Sequence, residues 1–163
     1  MPCSPDLIAP SSCWADVADD SLYDQTIKDL ARSGIGAGSL TDADGRGRAD
    51  TPLCGDRAEV DIRLDAEGRV AEWKHRVRGC LICQASASAL AEAVVGQSAV
   101  GVAAGEAALR ALLAGDGQPL AALPAFAAFT MFEPLRPHRS RHGCALLPFV
   151  AAARAFSAVA ARP

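Results

Sequence analysis

The residues best suited to chemistry in this sequence are three cysteines at predicted boundaries between structural elements. Cys54 lies in the run Pro52-Leu53-Cys54-Gly55-Asp56, Cys80 stands between a predicted hairpin and a helix, and Cys144 stands at the predicted start of the last helix. A cysteine at a helix start faces unpaired N–H groups and the positive end of the helix dipole, which favour the thiolate. The thiolate is the form of cysteine that binds metal or attacks sulfur.

Asp56 adds an oxygen donor to these sulfurs. It follows Cys54 by two residues across a glycine, so its carboxylate can reach the same point. Three sulfurs and one oxygen suit a tetrahedral zinc site or an iron–sulfur cluster with one weak ligand. The sequence therefore predicts a metal site made of Cys54, Asp56, Cys80 and Cys144.

Alternating hydrophobicity predicts a hairpin between Cys54 and Cys80. Residues 59–64 and 70–77 each alternate apolar and polar positions, and Asp65-Ala66-Glu67-Gly68 forms a turn between them. The glycine- and aspartate-rich stretch 34–52 reads as irregular backbone with room for one short strand.

Helical periodicity accounts for most of the remaining chain. The predicted helices are one capped by Ser21 and stopped by Gly34, then 82–95, then 99–114 capped by Ser98, then a stretch within 120–132 from Pro124 onward, and finally 144–159, with Pro148 near its first turn. This order indicates an α+β domain with helices packed on one face of a small antiparallel sheet of about three strands. We expect residues 1–20 to be a mobile tail and 21–160 to be a single domain.

Composition excludes several classes of protein. The chain has 163 residues, of which 50% are hydrophobic and 21% charged, and its net charge is -3. A sequence of this balance offers no broad basic face, so nucleic acid is not an expected partner. It has neither a run of 18 apolar residues nor a secretory leader, so we expect a cytoplasmic protein that does not span a membrane. In a reducing compartment, the cysteines beside glycine, aspartate and helix starts are expected to bind metal or to do thiol chemistry rather than to form disulfides. Cys3 and Cys13 in the tail are expected to have no function.

Three motifs resemble the U-type iron–sulfur assembly family, to which IscU, SufU and the N-terminal domain of NifU belong. They are Pro52-Leu53-Cys54-Gly55-Asp56, Gly79-Cys80 running into Gln84-Ala85-Ser86-Ala87-Ser88, and Arg141 three residues before Cys144-Ala145-Leu146-Leu147. They occur in the family's order, and residues 23–33 resemble its first helix. The resemblance covers about 22–156 and implies the SufE/IscU-like fold.

The resemblance also favours the SufU branch over the scaffold branch. Position 143 is glycine where scaffold members have a histidine, and the path to Cys144 carries an extra helical stretch around 120–132. The SufU branch implies zinc held by Cys54, Asp56, Cys80 and Cys144, and sulfur transfer with a SufS-like cysteine desulfurase and a SufBCD-like assembly complex. The alternatives are a scaffold that builds a 2Fe–2S cluster on the same ligands and a purely structural zinc domain. The sulfur acceptor is Cys54 in the zinc branch and Cys144 in the scaffold branch.

Three features depart from the family pattern or admit a simpler explanation. Cys83 stands where a small residue is more usual, and we expect a buried, inert thiol rather than a redox partner of Cys80 or a sulfur relay. His142 lies two residues before Cys144, where an exposed contact is favoured over metal ligation. The arginines at 136, 139 and 141 are expected to frame Cys144 and to meet an acidic partner surface.

Overall fold

The computed structural model describes residues 24–163. The predicted tail, with Cys3 and Cys13, and the predicted cap Ser21 lie outside the described residues. The first described helix, α1, spans Gln25–Ser33 and ends at Gly34, whose φ of 60° is the left-handed conformation expected of a helix stop. Ile27 and Ala31, one turn apart, are buried.

The sheet is an antiparallel meander of three strands in the order β1-β2-β3. Strand β1 is Gly45–Asp50, β2 is Arg57–Leu64 and β3 is Val70–Arg78. The predicted hairpin is thereby confirmed as β2 and β3, and β1 is the short strand within 34–52. Val60 pairs with His75 and Ile62 with Trp73, and all four face the core.

The opposite face of the sheet is partly covered, although the helices pack on one face alone. The alternation in β2 places Asp61 on the solvent side, yet it is only 2% exposed. The Leu40 N–H donates to its carboxylate at 3.0 Å, and the guanidinium groups of Arg46 and Arg76 lie 3.7 Å and 3.4 Å from it. The loop that precedes β1 folds back over β2, because the Asp61 carboxylate accepts a hydrogen bond from the backbone of that loop and pairs with two arginines.

Two of the remaining helices pack directly on the core face of the sheet, and the others pack behind them. The remaining helices are α2 (Leu81–Ala93), α3 (Ala99–Ala114), two 3₁₀ helices (Pro119–Ala122 and Pro124–Leu135), and α4 (Arg139–Ala160). Helix α4 lies on β1 and β2, while α2 packs against α1, α4 and β3. The stretch predicted to be helical from Pro124 is helical, with 3₁₀ geometry, and its phenylalanines join Phe149 of α4 in the core. The α+β fold is confirmed.

Helix α4 begins five residues before the predicted start at Cys144, so Cys144 lies in its second turn rather than at its N-terminus. Pro148 accordingly lies in the helix interior, where it has no N–H to donate to the carbonyl of Cys144. The hydroxyl of Ser86 in α2 donates to the next carbonyl, that of Ala145. This bond connects the two helices that carry Cys80 and Cys144.

Two glycines let α4 lie directly on β1. A Cβ atom on Gly45 would collide with the carbonyl oxygen of Ala155, and one on Gly47 with that of Ala151. The Arg154 guanidinium donates to the Arg48 carbonyl at 2.6 Å along the same contact. Helix α4 can therefore lie this close to β1 because Gly45 and Gly47 have no side chains.

Helix α4 is long and apolar enough to cross a membrane by length and composition alone. Half of its most apolar window is buried inside the protein. Its apolar residues cover the sheet and the phenylalanine cluster, which is the arrangement of a core helix.

Candidate metal and sulfur site

Three separate segments meet at one end of the sheet: the loop between β1 and β2, the start of α2, and the second turn of α4. They bring Asp56, Cys80 and Cys144 together, with one ligand atom from each lying within 4.8 Å of the other two. Within the described residues, Cys54 does not belong to that mutually close set. Its Sγ nevertheless lies 3.9 Å from the Sγ of Cys144. The structure therefore places all four predicted ligands in one region, with Cys54 at its edge.

Backbone hydrogen bonds close the loop that carries Cys54. The Thr51 N–H donates to the Asp56 carbonyl at 2.8 Å, and the Asp56 N–H donates to the Thr51 hydroxyl at 3.1 Å. Gly55 has a φ of 67°, which turns the chain sharply between the two ligands. Asp56 then points inward, while Cys54 and Leu53 remain exposed, Leu53 by 88%.

The Asp56 carboxylate is buried without a full set of partners. It is 4% exposed, and its Oδ2 atom has no hydrogen-bond partner. A buried carboxylate oxygen normally has a donor or a cation beside it, because the unpaired group costs about 1–3 kcal/mol or more. This oxygen lies beside two cysteine sulfurs, so a metal ion fits as its missing partner.

Gly79 makes room for this carboxylate. A Cβ atom at position 79 would lie 2.7 Å from Asp56 Cγ and 3.0 Å from its Oδ1. The sequence motif contains Gly79, but the type of residue alone did not reveal this role. What could have indicated the role is the position of Gly79 immediately before the cysteine that caps α2. The φ angle of Gly79 is not positive, so the backbone itself does not require a glycine there.

The thiols of Cys80 and Cys144 shift each other's pKa in opposite directions. Their mutual hydrogen bond lowers the pKa of Cys80 to about 7, with help from the Cys83 backbone N–H, while burial and Asp56 oppose the effect. The same hydrogen bond, together with burial, raises the pKa of Cys144. Of these two thiols, Cys80 is thus the one that ionises more readily. Cys80 caps α2, which confirms its predicted place at a helix start, but the helix-dipole argument does not apply to Cys144.

The donor set fits a zinc ion. Two thiolates bound to one tetrahedral zinc at about 2.3 Å each are about 3.8 Å apart, close to the 3.9 Å between Cys54 and Cys144. Three thiolates and one carboxylate would more than balance the two positive charges of the ion, and the ion would give the orphaned oxygen of Asp56 a partner. The same soft donors also suit iron in a cluster.

Cys83 and two histidines lie apart from the ligand set. Cys83 is fully buried, and burial raises its pKa, so the expectation of a buried thiol is confirmed. His142 is half-buried, with its Nε2 2.9 Å from the Leu135 carbonyl and 3.2 Å from that of Arg136. His75 is a buried core residue, and its Nδ1 accepts a hydrogen bond from Trp73 Nε1 at 3.1 Å.

Comparison with known proteins places this geometry in a known context. Residues 22–112 match the family described as NifU-like N terminal domain. A NifU-like protein (N-terminal) from Brucella abortus has a similar crystal structure, with a TM-score of 0.79 and 28% identity, covering 90% of this chain and 99% of that one.

Two further matches are more distant or more local. A protein from Fervidobacterium islandicum AW-1, described as an iron–sulfur cluster assembly scaffold for the SUF system, has a TM-score of 0.73 at 20% identity; the match covers 83% of this chain and 96% of that one. Over 67 residues, which are 41% of this chain, the sequence is 37% identical to the bifunctional protein NifU/MnmA of Rubrobacter xylanophilus. That match spans only 14% of the longer protein.

Proposed function

Because the chain belongs to the family of NifU-like N-terminal domains, we propose that it takes part in iron–sulfur cluster assembly by accepting persulfide sulfur from a cysteine desulfurase. The observation that carries the proposal is the meeting of Asp56, Cys80 and Cys144 from three segments, with Cys54 3.9 Å from Cys144. We further propose the SufU branch, in which these four residues hold zinc and the sulfur is passed on to a SufBCD-like complex. The reducing cytoplasm would keep the thiols available.

The four ligands have different freedom to move. Cys80 caps α2, and Cys144 is held in α4 by packing on the sheet. Cys54 is exposed on a loop closed by hydrogen bonds at its two ends and turned by a glycine. Cys54 can therefore leave its position with little movement of the helices, and we assign it as the sulfur acceptor.

The exchange at Cys54 needs no oxidant or reductant. The Cys54 thiolate attacks the outer sulfur of the desulfurase persulfide, and a new sulfur–sulfur bond forms on Cys54. The old sulfur–sulfur bond breaks, and its electron pair stays on the desulfurase cysteine as a thiolate. Zinc, when bound, would keep the cysteines deprotonated and protected from other reactions.

Metal analysis and an absorption spectrum of protein purified without oxygen test the metal assignment. We expect about one colourless zinc per chain, and we expect chelation to lower the melting temperature by at least about 5 °C, because the ion ties three segments together. Iron with sulfide and visible absorption would support the scaffold alternative instead. Equal melting temperatures of the metal-free and the zinc-loaded protein would contradict a metal site made of these ligands.

Mass spectrometry after incubation with a cysteine desulfurase and cysteine tests the acceptor. We expect the first added sulfur on Cys54 and no stable transfer to a folded Cys54→Ser variant, with Cys83→Ser as the control that behaves as wild type. A first sulfur on Cys144 would overturn the assignment of Cys54 and favour the scaffold branch.

A further inference from the structure

A basic cavity lies at the N-terminal end of α4, away from the cysteines. It has a volume of about 490 Å³ and lies between α3, the second 3₁₀ helix and α4. Its charged lining consists of Arg110, Arg136 and Arg139, with His142 beside them and Leu113 and Leu146 on its apolar part. No carboxylate lines it, although the chain as a whole is acidic.

Nearby acids neutralise these arginines only in part. Glu106 pairs with Arg110 at 2.6 Å, and Glu133 lies 3.5 Å from Arg136. Among the described residues, Arg139 has no carboxylate partner, and it is exposed in the first turn of α4. Guanidinium groups bind carboxylates through paired hydrogen bonds, so three of them around one concavity favour an anionic occupant.

The cavity and the cysteine site occupy different faces of one helix. Arg139, His142 and Leu146 are spaced by three and four residues and share a face of α4. The Cys144 side chain is about 160° around the helix from those of both His142 and Leu146, but it is only about 3 Å away along the helix axis. Both places lie near the N-terminal end of α4, and a helix with its side chains is about 10–12 Å across. A partner surface of ordinary interface size, about 800 Å² on each partner, that covers this end of the helix can reach both faces.

His142 fixes one wall of the cavity. Its Nε2 contacts the last carbonyls of the second 3₁₀ helix, those of Leu135 and Arg136, and so ties that helix to α4. The wall that carries Arg136 is therefore held in place before any ligand binds, and a pre-formed site loses less entropy on binding.

We propose that this cavity anchors an acidic segment of the sulfur-donating partner while that partner's persulfide is held against Cys54. The inference rests on the proposed function, because it assigns the occupant to the desulfurase. The mixed lining, with three arginines around leucine and alanine side chains, suits glutamate or aspartate beside apolar residues of a peptide. Charge complementarity of this kind acts mainly on the rate and salt dependence of association.

The test uses the zinc-loaded full chain and measures both binding to a purified cysteine desulfurase and sulfur transfer. We expect the double variant Arg110→Glu/Arg139→Glu to bind about tenfold more weakly at low salt, with a higher KM for this protein and little change in kcat. Arg32→Glu is the control for a charge reversal outside the cavity, because Arg32 is exposed on α1 and its ion pair among the described residues is with Asp29 of the same helix. It should bind as wild type does.

Additional measurements separate the possible failures. Cys54→Ser should abolish sulfur transfer while leaving binding to the desulfurase intact. A failure of the proposed sulfur acceptor can therefore be told apart from a loss of binding at the cavity. If the double variant, folded and zinc-loaded, binds the desulfurase with wild-type affinity and salt dependence, the anchor is wrong whatever the fate of the sulfur. Saturation of the cavity by micromolar citrate or pyrophosphate, without competition against the desulfurase, would identify a small anion as the occupant and overturn the proposal.

Discussion

The Sγ atom of Cys54 lies 3.9 Å from the Sγ atom of Cys144, although 90 positions separate the two residues. Cys54 is exposed at a loop, and Cys144 is completely buried in α4. The site thus pairs a thiol that can move with one that cannot. A partner that binds Cys54 can therefore move it away from Cys144 while Cys144 and the core around it stay in place.

Replacing Asp56 with alanine should have opposite consequences with and without metal. In metal-free protein the buried Oδ2 has no partner, so we expect the variant to be at least as stable as wild type toward urea. In zinc-loaded protein the variant should lose metal more readily, because one of four ligands is missing. The measurements are urea unfolding with and without chelator, and competition with a zinc indicator.

Asp61→Ala is the matched control for this experiment. Asp61 is equally buried, but it is bound by Leu40, Arg46 and Arg76. Its removal should cost about 1–3 kcal/mol whether or not zinc is present. An Asp56→Ala variant that loses the same stability in both states would show that Asp56 has a structural role alone.

Gly79→Ala should weaken metal binding without unfolding the protein. The new Cβ would press on the Asp56 carboxylate, whose Cγ is 2.7 Å from the position it would take, and the side chain would have to turn away from the cysteines. We expect at least about a tenfold loss of zinc affinity by indicator competition, as for changes to groups that orient a ligand.

Gly143→Ala provides the comparison, since it also lies next to a ligand cysteine. Its Cβ would meet only Thr51 Cγ2, at 3.7 Å, and it lies inside α4. Alanine there should raise helix stability by about 1 kcal/mol and leave zinc affinity unchanged. Equal zinc affinity in wild type and Gly79→Ala would remove Asp56 from the set of metal ligands.

The cysteines should react with iodoacetamide in an order set by exposure. In native metal-free protein we expect Cys54 to be alkylated well before Cys83, because Cys83 is fully buried and burial raises its pKa. Peptide mapping at successive times measures the order, and denatured protein supplies the control in which the difference disappears. Early alkylation of Cys83 would contradict its place in the core and revive a role as a sulfur relay.

The core histidine should make stability depend on pH. Burial, with a smaller contribution from Lys74, lowers the pKa of His75 to about 4. The unfolded chain binds a proton near pH 6.5, so stability is complete above that pH and falls as the pH drops from 6.5 toward 4. We expect wild type to lose about 1–2 kcal/mol more than His75→Gln between pH 7 and pH 5, measured by urea unfolding. Equal losses would show that His75 is protonated within the fold.

The hairpin and most helices could be predicted because their signals are local. Val60 and Ile62 alternate with polar neighbours, and Ser98 and Gly115 flank a helix found within its predicted bounds. The start of α4 could not be predicted in the same way. Its first five residues are polar or glycine and have no apolar period, and Pro148 suggested a first turn that in fact lies well upstream.

The sequence could predict which residues make up the candidate site, but much less of what surrounds them. Cysteine and aspartate show their chemistry by residue type, and the motifs placed Cys54, Asp56, Cys80 and Cys144 together. The burial of Asp61 depends on a loop that returns over the sheet, which no short pattern reveals. The room that Gly79 leaves for Asp56 is likewise a contact between segments, so it becomes visible only once both are placed.

The close contact of α4 with β1 at Gly45 and Gly47 also limits what could be transplanted. A designer who copied the four ligand residues onto another α+β scaffold would usually have ordinary side chains in the edge strand. Those side chains would push the helix away from the strand by about the size of a methyl group. The buried Sγ of Cys144 would then move away from the loop that carries Cys54. The two glycines therefore belong to the minimal set that a functional graft of this site has to carry, although neither touches the ligands.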